Sequence, residues 1–393
     1  MKQFENSYNP VGLIDKSIIS NVEKVLSTGR LYRYDCQTPD QSEVSLLEKE
    51  FAEMLGVKYA VAVNSCSSSI FLALISSGVK AGDKVLIPAF TFIAVPSAVV
   101  HVGAIPVLVE INENYTLDVD DLKRKITSET KYLLLSYMRG HIPNLDEIIS
   151  ICDSSGIILI EDCAHSLGVT WNKIPTGSFG KIGCFSMQSY KILDGGEGGI
   201  LITDDEDIYA QSILYSGSYE RLWTKHFSVN SNFAKYQKSI PCYNFRMSNL
   251  TASVIRPQLS LINERIDQYN TKYRFLAGSL AKSPHIDFPM MESKSSLVGD
   301  SVQFNLIGLS LEQMKRFLAL AKSCGLPIDI FGLSEDNARC YWNWNFLNSN
   351  DELPKTRSIL LTTCDMRLPL CLSMQDISDI GETLIEIIET VIS

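Results

Sequence analysis

Apolar and polar positions alternate with a strand-and-helix rhythm through the first half of this 393-residue chain. Between Val57 and Asp204, short apolar runs such as KYAVAVN, DKVLIPA and GIILIED are separated by stretches of helix length. This alternation predicts βαβ units and a mostly parallel sheet. Near Gly183 the rhythm changes: GCFSM and GGILITD predict two neighbouring strands of the same sheet, joined by a tight link rich in glycine.

The second half of the chain has a weaker pattern. After Tyr215 the residues SGSYERLWTKHFSVNSNFAKYQKS are polar and aromatic without a clear period, which predicts a long surface loop. From Ser248, helical spacing predicts a connecting helix into a smaller C-terminal α+β domain, and the final stretch from Met374 predicts a helix packed on it. We therefore expect a large domain over residues 1–250 and a small domain with its connecting helix over 251–393.

Composition narrows the class of protein. Apolar residues make up 45% of the chain and charged residues 20%, a balance typical of globular proteins. The 35 Lys and Arg residues against 45 Asp and Glu residues give a net charge of −10, which argues against nucleic-acid or anionic-membrane binding. The N-terminal residues MKQFENSYNPVG lack the apolar core of a signal peptide, and no apolar run is long enough to cross a bilayer.

Cysteine and histidine usage favours a cytoplasmic protein without a metal. The ten cysteines are scattered without a CxxC pair, and Cys163, Cys184 and Cys371 lie in apolar stretches, which predicts reduced core thiols. The five histidines lack the spacing of metal ligands, so we expect no metal site.

Lys191 lies in FSMQSYKILDGGEGG, between an apolar run and a cluster of glycines. A lone lysine between two strands is usually a surface residue. Here the apolar residues before it and the glycines after it indicate the end of a buried strand beside a pocket. Removal from water would lower the pKa of the amine and make its neutral form available as a nucleophile.

Polar residues that could act together with Lys191 occur in three places. Asp162 ends GIILIED and is expected at the carboxyl edge of the sheet, either as a capping carboxylate or as the partner of a protonated pyridine nitrogen. The segment NSCSSS from Asn64 precedes a predicted helix and offers hydroxyl and amide groups to an anion, although Ser67 could simply cap that helix. Ser186 either reaches the same anion or is an ordinary strand serine.

These residues belong to a longer pattern. The run EDCAHSLG…GCFSMQSYKILDGGEGGILITDD resembles the signature of the DegT/DnrJ/StrS family of pyridoxal-phosphate-dependent sugar aminotransferases, in which ED-x-A-(His/Gln) is followed by FS, the lysine and a GEGG turn. LEKEFAEMLGVKYAVAVNSCSSSIFLAL, GDKVLIPAFTFIA and YNFRMSNLTASVI are similar to further segments of that family. The resemblance extends from about Gly29 to Gln258 and continues more weakly through the C-terminal part.

The resemblance implies both a fold and a cofactor. The fold is that of the type I pyridoxal-phosphate-dependent aminotransferases, with a large α/β/α domain built on a mostly parallel sheet and a smaller C-terminal α+β domain. The cofactor is pyridoxal 5′-phosphate, held as a Schiff base on Lys191, which also moves a proton between two carbon atoms. Asp162 would hold the pyridine nitrogen, and His165 would lie near the ring or its phenolic oxygen. Phe92 would lie against the ring face, although its spacing fits a core phenylalanine equally well.

The resemblance also implies how the cofactor phosphate is held. The residues that the resemblance places near the phosphate side of the cofactor are Ser65, Cys66, Ser67, Ser186 and Gln188. In this family the asparagine that corresponds to Asn244 reaches the phosphate of the neighbouring subunit, which implies a homodimer with shared active sites.

Two departures from the family pattern bear on the site. Many members have glycine where this chain has Cys66, and SYMRGHIP replaces the commoner form of a strand and loop, which indicates a subgroup with a different acceptor. Candidates to bind a substrate carboxylate or diphosphate are Arg30, Arg33, Arg221 and Arg246. Each of them also fits a surface or interface arginine.

The pattern as a whole predicts an aminotransferase that moves the amino group of L-glutamate to the ketone or aldehyde of a sugar, for a surface polysaccharide or lipopolysaccharide. A nucleotide-linked keto-hexose is one candidate acceptor. The other is 8-oxo-octulosonate, because SYMRGH and LYSGSYERLW resemble segments of 8-amino-octulosonate transaminases. A related dehydratase would have histidine in place of Lys191. A non-catalytic regulatory protein would not need Lys191, Asp162 and His165 together.

Overall fold

The computed structural model describes residues 2–4, 14–347 and 352–393. Most of the N-terminal segment searched for a signal peptide lies outside these residues. The α-helices are α1 (Lys16–Thr28), α2 (Glu43–Leu55), α3 (Cys66–Ser76), α4 (Ala94–His101), α5 (Val119–Lys125), α6 (Leu145–Ser155), α7 (Glu206–Gly217), α8 (Asn232–Tyr236), α9 (Asn249–Ile255), α10 (Ile262–Leu280), α11 (Leu311–Ser323), α12 (Pro354–Leu360) and α13 (Met374–Ile392). The strands are β1 (Tyr59–Val63), β2 (Lys84–Pro88), β3 (Ile105–Val109), β4 (Thr130–Ser136), β5 (Ile158–Asp162), β6 (Thr170–Trp171), β7 (Ile174–Pro175), β8 (Ile182–Ser186), β9 (Gly199–Thr203), β10 (Ile286–Asp287), β11 (Ser301–Leu306), β12 (Asp329–Ile330) and β13 (Thr363–Arg367).

A seven-stranded sheet in the order β1-β9-β8-β5-β4-β2-β3 forms the centre of the larger part of the molecule. Its strands pair in parallel except β9, which is antiparallel to both β1 and β8. Both faces are buried: Leu133 and Leu135 of β4 belong to one apolar cluster and Leu134 between them to the other. Burial on two faces explains why these strands are continuous apolar runs in the sequence.

A second, four-stranded antiparallel sheet in the order β10-β11-β13-β12 forms the smaller part. Its core contains Phe304 of β11 and Phe317 of α11, both fully buried. The last helix, α13, begins with a capping box between Ser373 and Asp376 and buries one apolar face, as its spacing predicts. These findings confirm the predicted fold class, a mostly parallel α/β part with a smaller α+β part. The boundary at residue 250 stays a prediction.

The predicted long surface loop after Tyr215 is wrong in part. That segment contains a 3₁₀ turn (Leu222–Lys225) and helix α8, and it buries Trp223 and Phe233, whose rings stack with centroids 5.0 Å apart. Two large aromatic rings remove enough apolar area from water to fix a segment that is otherwise polar.

Two further predictions need correction. The single connecting helix is divided into α9 and α10 by a 3₁₀ turn over Arg256–Leu261, which contains Pro257, a residue without the N–H that a continuous helix requires. Cys163 and Cys184 are buried as predicted, whereas Cys371 is exposed because it lies in the turn beyond β13. None of the described helices is long and apolar enough to span a membrane.

Candidate active site

A cavity of about 530 Å³ opens at the carboxyl edge of the large sheet, within the size range of ligand pockets. Strands β4, β5 and β8 end there with Ser136, Asp162 and Ser186. The sequence-predicted residues that line the cavity are Ser65, Cys66, Ser67, Phe92, Asp162, His165, Ser186, Gln188 and Lys191. Residues from segments far apart in the sequence therefore meet where parallel sheets place their ligands.

Lys191 lies in the link between β8 and β9, which spans residues 187–198 and is longer than the tight link that the sequence predicts. Its amide donates to the carbonyl of Gln188 at 3.2 Å, and the preceding Tyr190 has a left-handed backbone with φ 77°. Burial lowers the pKa of the Lys191 amine well below its usual range, and the positive charge of Arg367 lowers it further. The structure therefore favours the neutral, nucleophilic form of this amine.

Asp162 is the last residue of β5 and is almost fully buried. Ser136 donates its hydroxyl to Oδ2 at 2.8 Å, and the amide of Ala164 donates to Oδ1 at 3.1 Å. Burial raises the pKa of this carboxyl, although the hydrogen bonds from Ser136 and Ala164 act in the opposite direction. The carboxylate thus caps the loop that follows β5 and also faces the cavity. Its role as the partner of a protonated pyridine nitrogen stays a prediction.

His165 follows on the same loop. Its Nδ1 atom accepts a hydrogen bond from the amide of Arg139 at 3.3 Å. Burial, together with the charges of nearby arginines such as Arg139, lowers the pKa of His165 well below its usual range. A neutral ring whose Nδ1 accepts a hydrogen bond carries its proton on Nε2.

Helix α3 points its N-terminus at the cavity. Ser65 caps it by accepting from the amide of Ser68 at 3.1 Å, and the amides of Cys66 and Ser67 belong to the first turn, where no intrahelical carbonyl precedes them. Burial raises the pKa of the Cys66 thiol well above its usual range, so this residue is a neutral thiol. Free amides, hydroxyl groups and the positive end of a helix form an anion site.

Phe92 and Gln188 complete the predicted set. Phe92 is 43% exposed and lines the cavity, so the reading of Phe92 as a core residue is wrong. The guanidinium of Arg339 lies 5.8 Å from the centroid of its ring. The backbone N–H of Gln188 donates to Oγ of Ser186 at 3.3 Å.

The predicted arginines do not line this cavity. Arg33 is 1% exposed and forms two hydrogen bonds of 2.9 Å with Glu48, so its prediction as a substrate ligand is wrong, because its guanidinium is already committed to a buried carboxylate. Arg246 donates to the carbonyl of Gly217 at 2.7 Å and lies beside the rings of Tyr32 and Tyr219.

Three other predicted residues lie outside the cavity wall of this chain. Arg30, Arg221 and Asn244 are exposed on its surface. For Arg30, Arg221 and Arg246 substrate binding stays a prediction, and so does the contact of Asn244 with a neighbouring subunit.

Several residues that line the cavity were not singled out from the sequence. They are Ser136, Arg139, Tyr190, Glu197, Arg339 and Arg367. Three of them had a usable signal: Ser136 and Arg139 lie in SYMRGHIP, the segment that departs from the family pattern, and Glu197 lies in the GEGG turn. Arg339 and Arg367 come from the smaller part of the molecule and carry no local motif.

Comparison with known proteins defines the class. Residues 13–385 match the DegT/DnrJ/EryC1/StrS aminotransferase family. The chain is 32% identical over 300 residues to the spore coat polysaccharide biosynthesis protein SpsC of Bacillus subtilis, covering 73% of this chain and 75% of that protein. It is 32% identical over 254 residues to GDP-perosamine synthase of Vibrio cholerae, covering 64% and 65%. The solved aminotransferase from Psychrobacter cryohalolentis superposes with a TM-score of 0.86 at 22% identity, covering 98% of this chain and 100% of that one.

The chain belongs to this family of pyridoxal-phosphate-dependent sugar aminotransferases. The residues present fit the cofactor. The N-terminus of α3 with Ser186 suits a phosphate, the buried carboxylate of Asp162 suits a protonated ring nitrogen, and the neutral amine of Lys191 suits an aldehyde. A Cβ on Gly199 would lie 2.3 Å from the carbonyl oxygen of Ser65. Glycine at this position therefore allows the start of β9 to approach the N-terminus of α3, which with Ser186 forms the phosphate cradle.

Proposed function

We propose that this protein transfers the amino group of L-glutamate to a keto- or aldehydo-sugar, using Lys191 as the reacting amine. The observation that carries the proposal is the buried Lys191 amine, whose pKa burial lowers, in a cavity that also contains a buried carboxylate and a helix N-terminus. Bound pyridoxal phosphate supplies an aldehyde for amines and a ring that withdraws electrons from the reacting carbon.

Each residue of the chain has a distinct task in this proposal. Nζ of Lys191 would move a proton between the two reacting carbon atoms. A neutral amine can accept this proton without first losing one of its own. The carboxylate of Asp162 would keep a proton on the ring nitrogen of the cofactor, and Ser136 orients that carboxylate. His165, with its proton on Nε2, and Phe92 both line the cavity and would contact the ring of the cofactor, Phe92 at its face.

The residues that would hold the phosphate of the cofactor are Ser65, Ser67 and Ser186, together with the first amides of α3, and Gln188 lies beside Ser186. We propose that Asn244 completes this cradle from the other subunit of a homodimer, since it is exposed and away from the cavity of its own chain. The described cysteines form no disulfide, which fits a reducing compartment such as the cytoplasm.

The acceptor is proposed at the level of its class. The names of two relatives, a spore coat polysaccharide biosynthesis protein and GDP-perosamine synthase, support an amino sugar for a surface polysaccharide as the product. A nucleotide-linked keto-hexose and 8-oxo-octulosonate, as a precursor of lipopolysaccharide, are the two acceptors to compare.

The test is the visible absorption spectrum of the cofactor-loaded protein before and after L-glutamate. We expect a visible band that L-glutamate removes and that the correct sugar restores. Lys191→Ala should lack both the band and the response to L-glutamate. The control Lys181→Ala should keep them, because Lys181 precedes β8, at the end opposite to Lys191, and pairs on the surface with Asp205. A normal response in Lys191→Ala would refute the proposal.

A further inference from the structure

Three arginines from separate parts of the chain meet at the cavity. Arg139 follows β4, Arg339 precedes the buried Cys340, and Arg367 ends β13. The charges of all three lower the pKa of His165, and those of Arg367 and Arg139 lower the pKa of Lys191. The guanidinium groups of Arg139 and Arg367 therefore lie within electrostatic reach of the proposed reacting amine, and that of Arg339 lies within reach of His165.

The protein neutralises these arginines only in part. Arg139 pairs with Asp365, and Nη1 of Arg367 lies 2.5 Å from Oδ2 of Asp300. Arg339 forms no ion pair with any residue that the structure describes, and its buried Nε lacks a hydrogen bond there. Nε and Nη1 of Arg139 also lack acceptors among the described residues, although its side chain is only 3% exposed. Buried N–H groups without acceptors are rare and costly, so these donors point to an acceptor on a ligand.

Arg139 is fixed from two sides. Its backbone is left-handed, with φ 56° and ψ 21°, and its amide donates to Nδ1 of His165. Its ion-pair partner, Asp365, accepts from Nε2 of Gln303 at 2.7 Å, and Oε1 of Gln303 lies 3.1 Å from Nε2 of His141. A strained backbone held by such a network is typical of a preorganised site, which loses little entropy when it binds.

We propose that Arg139, Arg339 and Arg367 form a subsite for a carboxylate group of the substrate, an inference that rests on the proposed function. The planar guanidinium fork matches a planar carboxylate through two parallel hydrogen bonds. The two substrates of an aminotransferase use one cavity in turn, so the amino donor and the acceptor sugar both meet these arginines. An acceptor with its own carboxylate is therefore preferred over a neutral sugar.

The first experiment measures the Kd of glutarate, an unreactive dicarboxylate, for the cofactor-loaded protein by calorimetry. Arg339→Met leaves no described carboxylate without its ion-pair partner, and it should raise this Kd about 10- to 100-fold, the effect of losing a hydrogen bond to a charged group. Arg139→Lys keeps the charge but loses the fork, and it should also raise the Kd. The control Arg124→Met removes an arginine that is 72% exposed and should leave the Kd unchanged.

Two kinetic measurements identify the source of the carboxylate. The rate at which L-glutamate changes the absorption spectrum reports on the donor. The preference for D-glucuronate over D-glucose, measured after the cofactor has received the amino group, reports on the acceptor. Loss of either one in Arg339→Met supports the subsite, and loss of neither contradicts it.

An unchanged Kd for glutarate in folded Arg339→Met and Arg139→Lys would overturn the inference. Loss of uridine diphosphate binding without loss of glutarate binding would overturn it as well, because the arginines would then hold a diphosphate. Glutarate binding requires no amino transfer, whereas the spectral response of the unaltered protein to L-glutamate tests the proposed function separately.

Discussion

Two adjacent carboxylates at the end of β5 have different surroundings and, we expect, different roles. Asp162 faces the cavity, whereas the fully buried Glu161 accepts hydrogen bonds from the amides of Gly177, Phe179 and Gly180 and from a tyrosine hydroxyl. Burial raises the pKa of both groups. The two neighbouring carboxylates therefore differ in accessibility: that of Asp162 can contact a ligand, whereas that of Glu161 fixes a loop.

Asp162→Asn should lower the rate of amino transfer about 100-fold or more, the scale of losing one charge-stabilising contact in an active site. The amide keeps the shape of the side chain and its contact with Ser136 but cannot hold a proton on the ring nitrogen. The apoprotein should be no less stable, because a neutral amide avoids the burial cost of the carboxylate. Rate and thermal midpoint, measured on the same sample, check both parts.

Glu161→Gln is the matched control for that substitution. Its amide group would face N–H donors in a buried site, so the free energy of unfolding should fall by about 1 to 3 kcal/mol. The spectral response to L-glutamate should persist in the folded fraction. A reversed pattern, with Asp162→Asn unstable and Glu161→Gln stable but inactive, would contradict the division of roles.

Lys191→Met should make the apoprotein more stable, because burial disfavours the ammonium form of Lys191. The pKa of this amine is lowered in the folded state, so the unfolded chain binds more protons below the usual lysine value of 10.5. The stability of the unaltered apoprotein therefore rises with pH between the lowered pKa and 10.5. The gain from Lys191→Met should grow as the pH falls through this window. Urea unfolding at several pH values measures it, and a gain independent of pH would contradict the argument.

At the scale of elements, the contact between the start of β9 and the N-terminus of α3 shapes the phosphate cradle. Gly199→Ala would place a Cβ 2.3 Å from the carbonyl oxygen of Ser65 and 2.5 Å from the amide nitrogen of Cys66. We expect this overpacking to cost about 1 to 3 kcal/mol of stability and to weaken cofactor binding. Thermal unfolding and a cofactor titration measure the two effects.

Gly278→Ala provides the control for Gly199→Ala. Gly278 lies within α10, where an added Cβ meets no atom within 4 Å. Alanine there should raise stability by about 0.5 to 1 kcal/mol through its helix propensity, without changing cofactor binding. Equal cofactor affinities for the two variants would show that the cradle tolerates the displacement.

How far elements can be predicted from the sequence depends on whether their determinants are local. The parallel strands are predictable because runs such as Leu133–Leu135 must fill two buried faces. Lys191 and Asp162 are predictable because each ends or follows such a run. Arg339 and Arg367 are not, because they reach the cavity only when the small sheet packs against the large one, and no residue spacing encodes that packing.

The buried aromatic pair of the segment after Tyr215 illustrates the same limit. Trp223 and Phe233 lie among polar residues without a period, and both are buried in an apolar cluster that includes Val61, which is distant in the sequence. Pattern analysis detects elements that bury a continuous stripe, and it misses segments fixed by two large side chains.

At the scale of the whole molecule, the position of Asn244 bears on the proposed homodimer. Asn244 is exposed between Tyr243 and Phe245, whose rings stack with centroids 5.1 Å apart. A stacked aromatic pair holds this exposed segment in a defined conformation. If Asn244 binds the phosphate, it does so in another subunit, and each active site then needs residues from two chains.

Mixing two impaired variants tests that arrangement directly. Lys191→Ala removes the reacting amine, and Asn244→Ala removes the contact with the phosphate, so each homodimer should be impaired at limiting cofactor. In a mixed dimer with shared sites, one site receives both wild-type residues, and an equal mixture refolded together should recover about a quarter of the wild-type activity. Refolding Lys191→Ala with the double variant Lys191→Ala/Asn244→Ala restores no complete site and provides the control. Activity no higher than the mean of the two separate variants would mean that each chain builds its site alone, and Asn244 would then need another role.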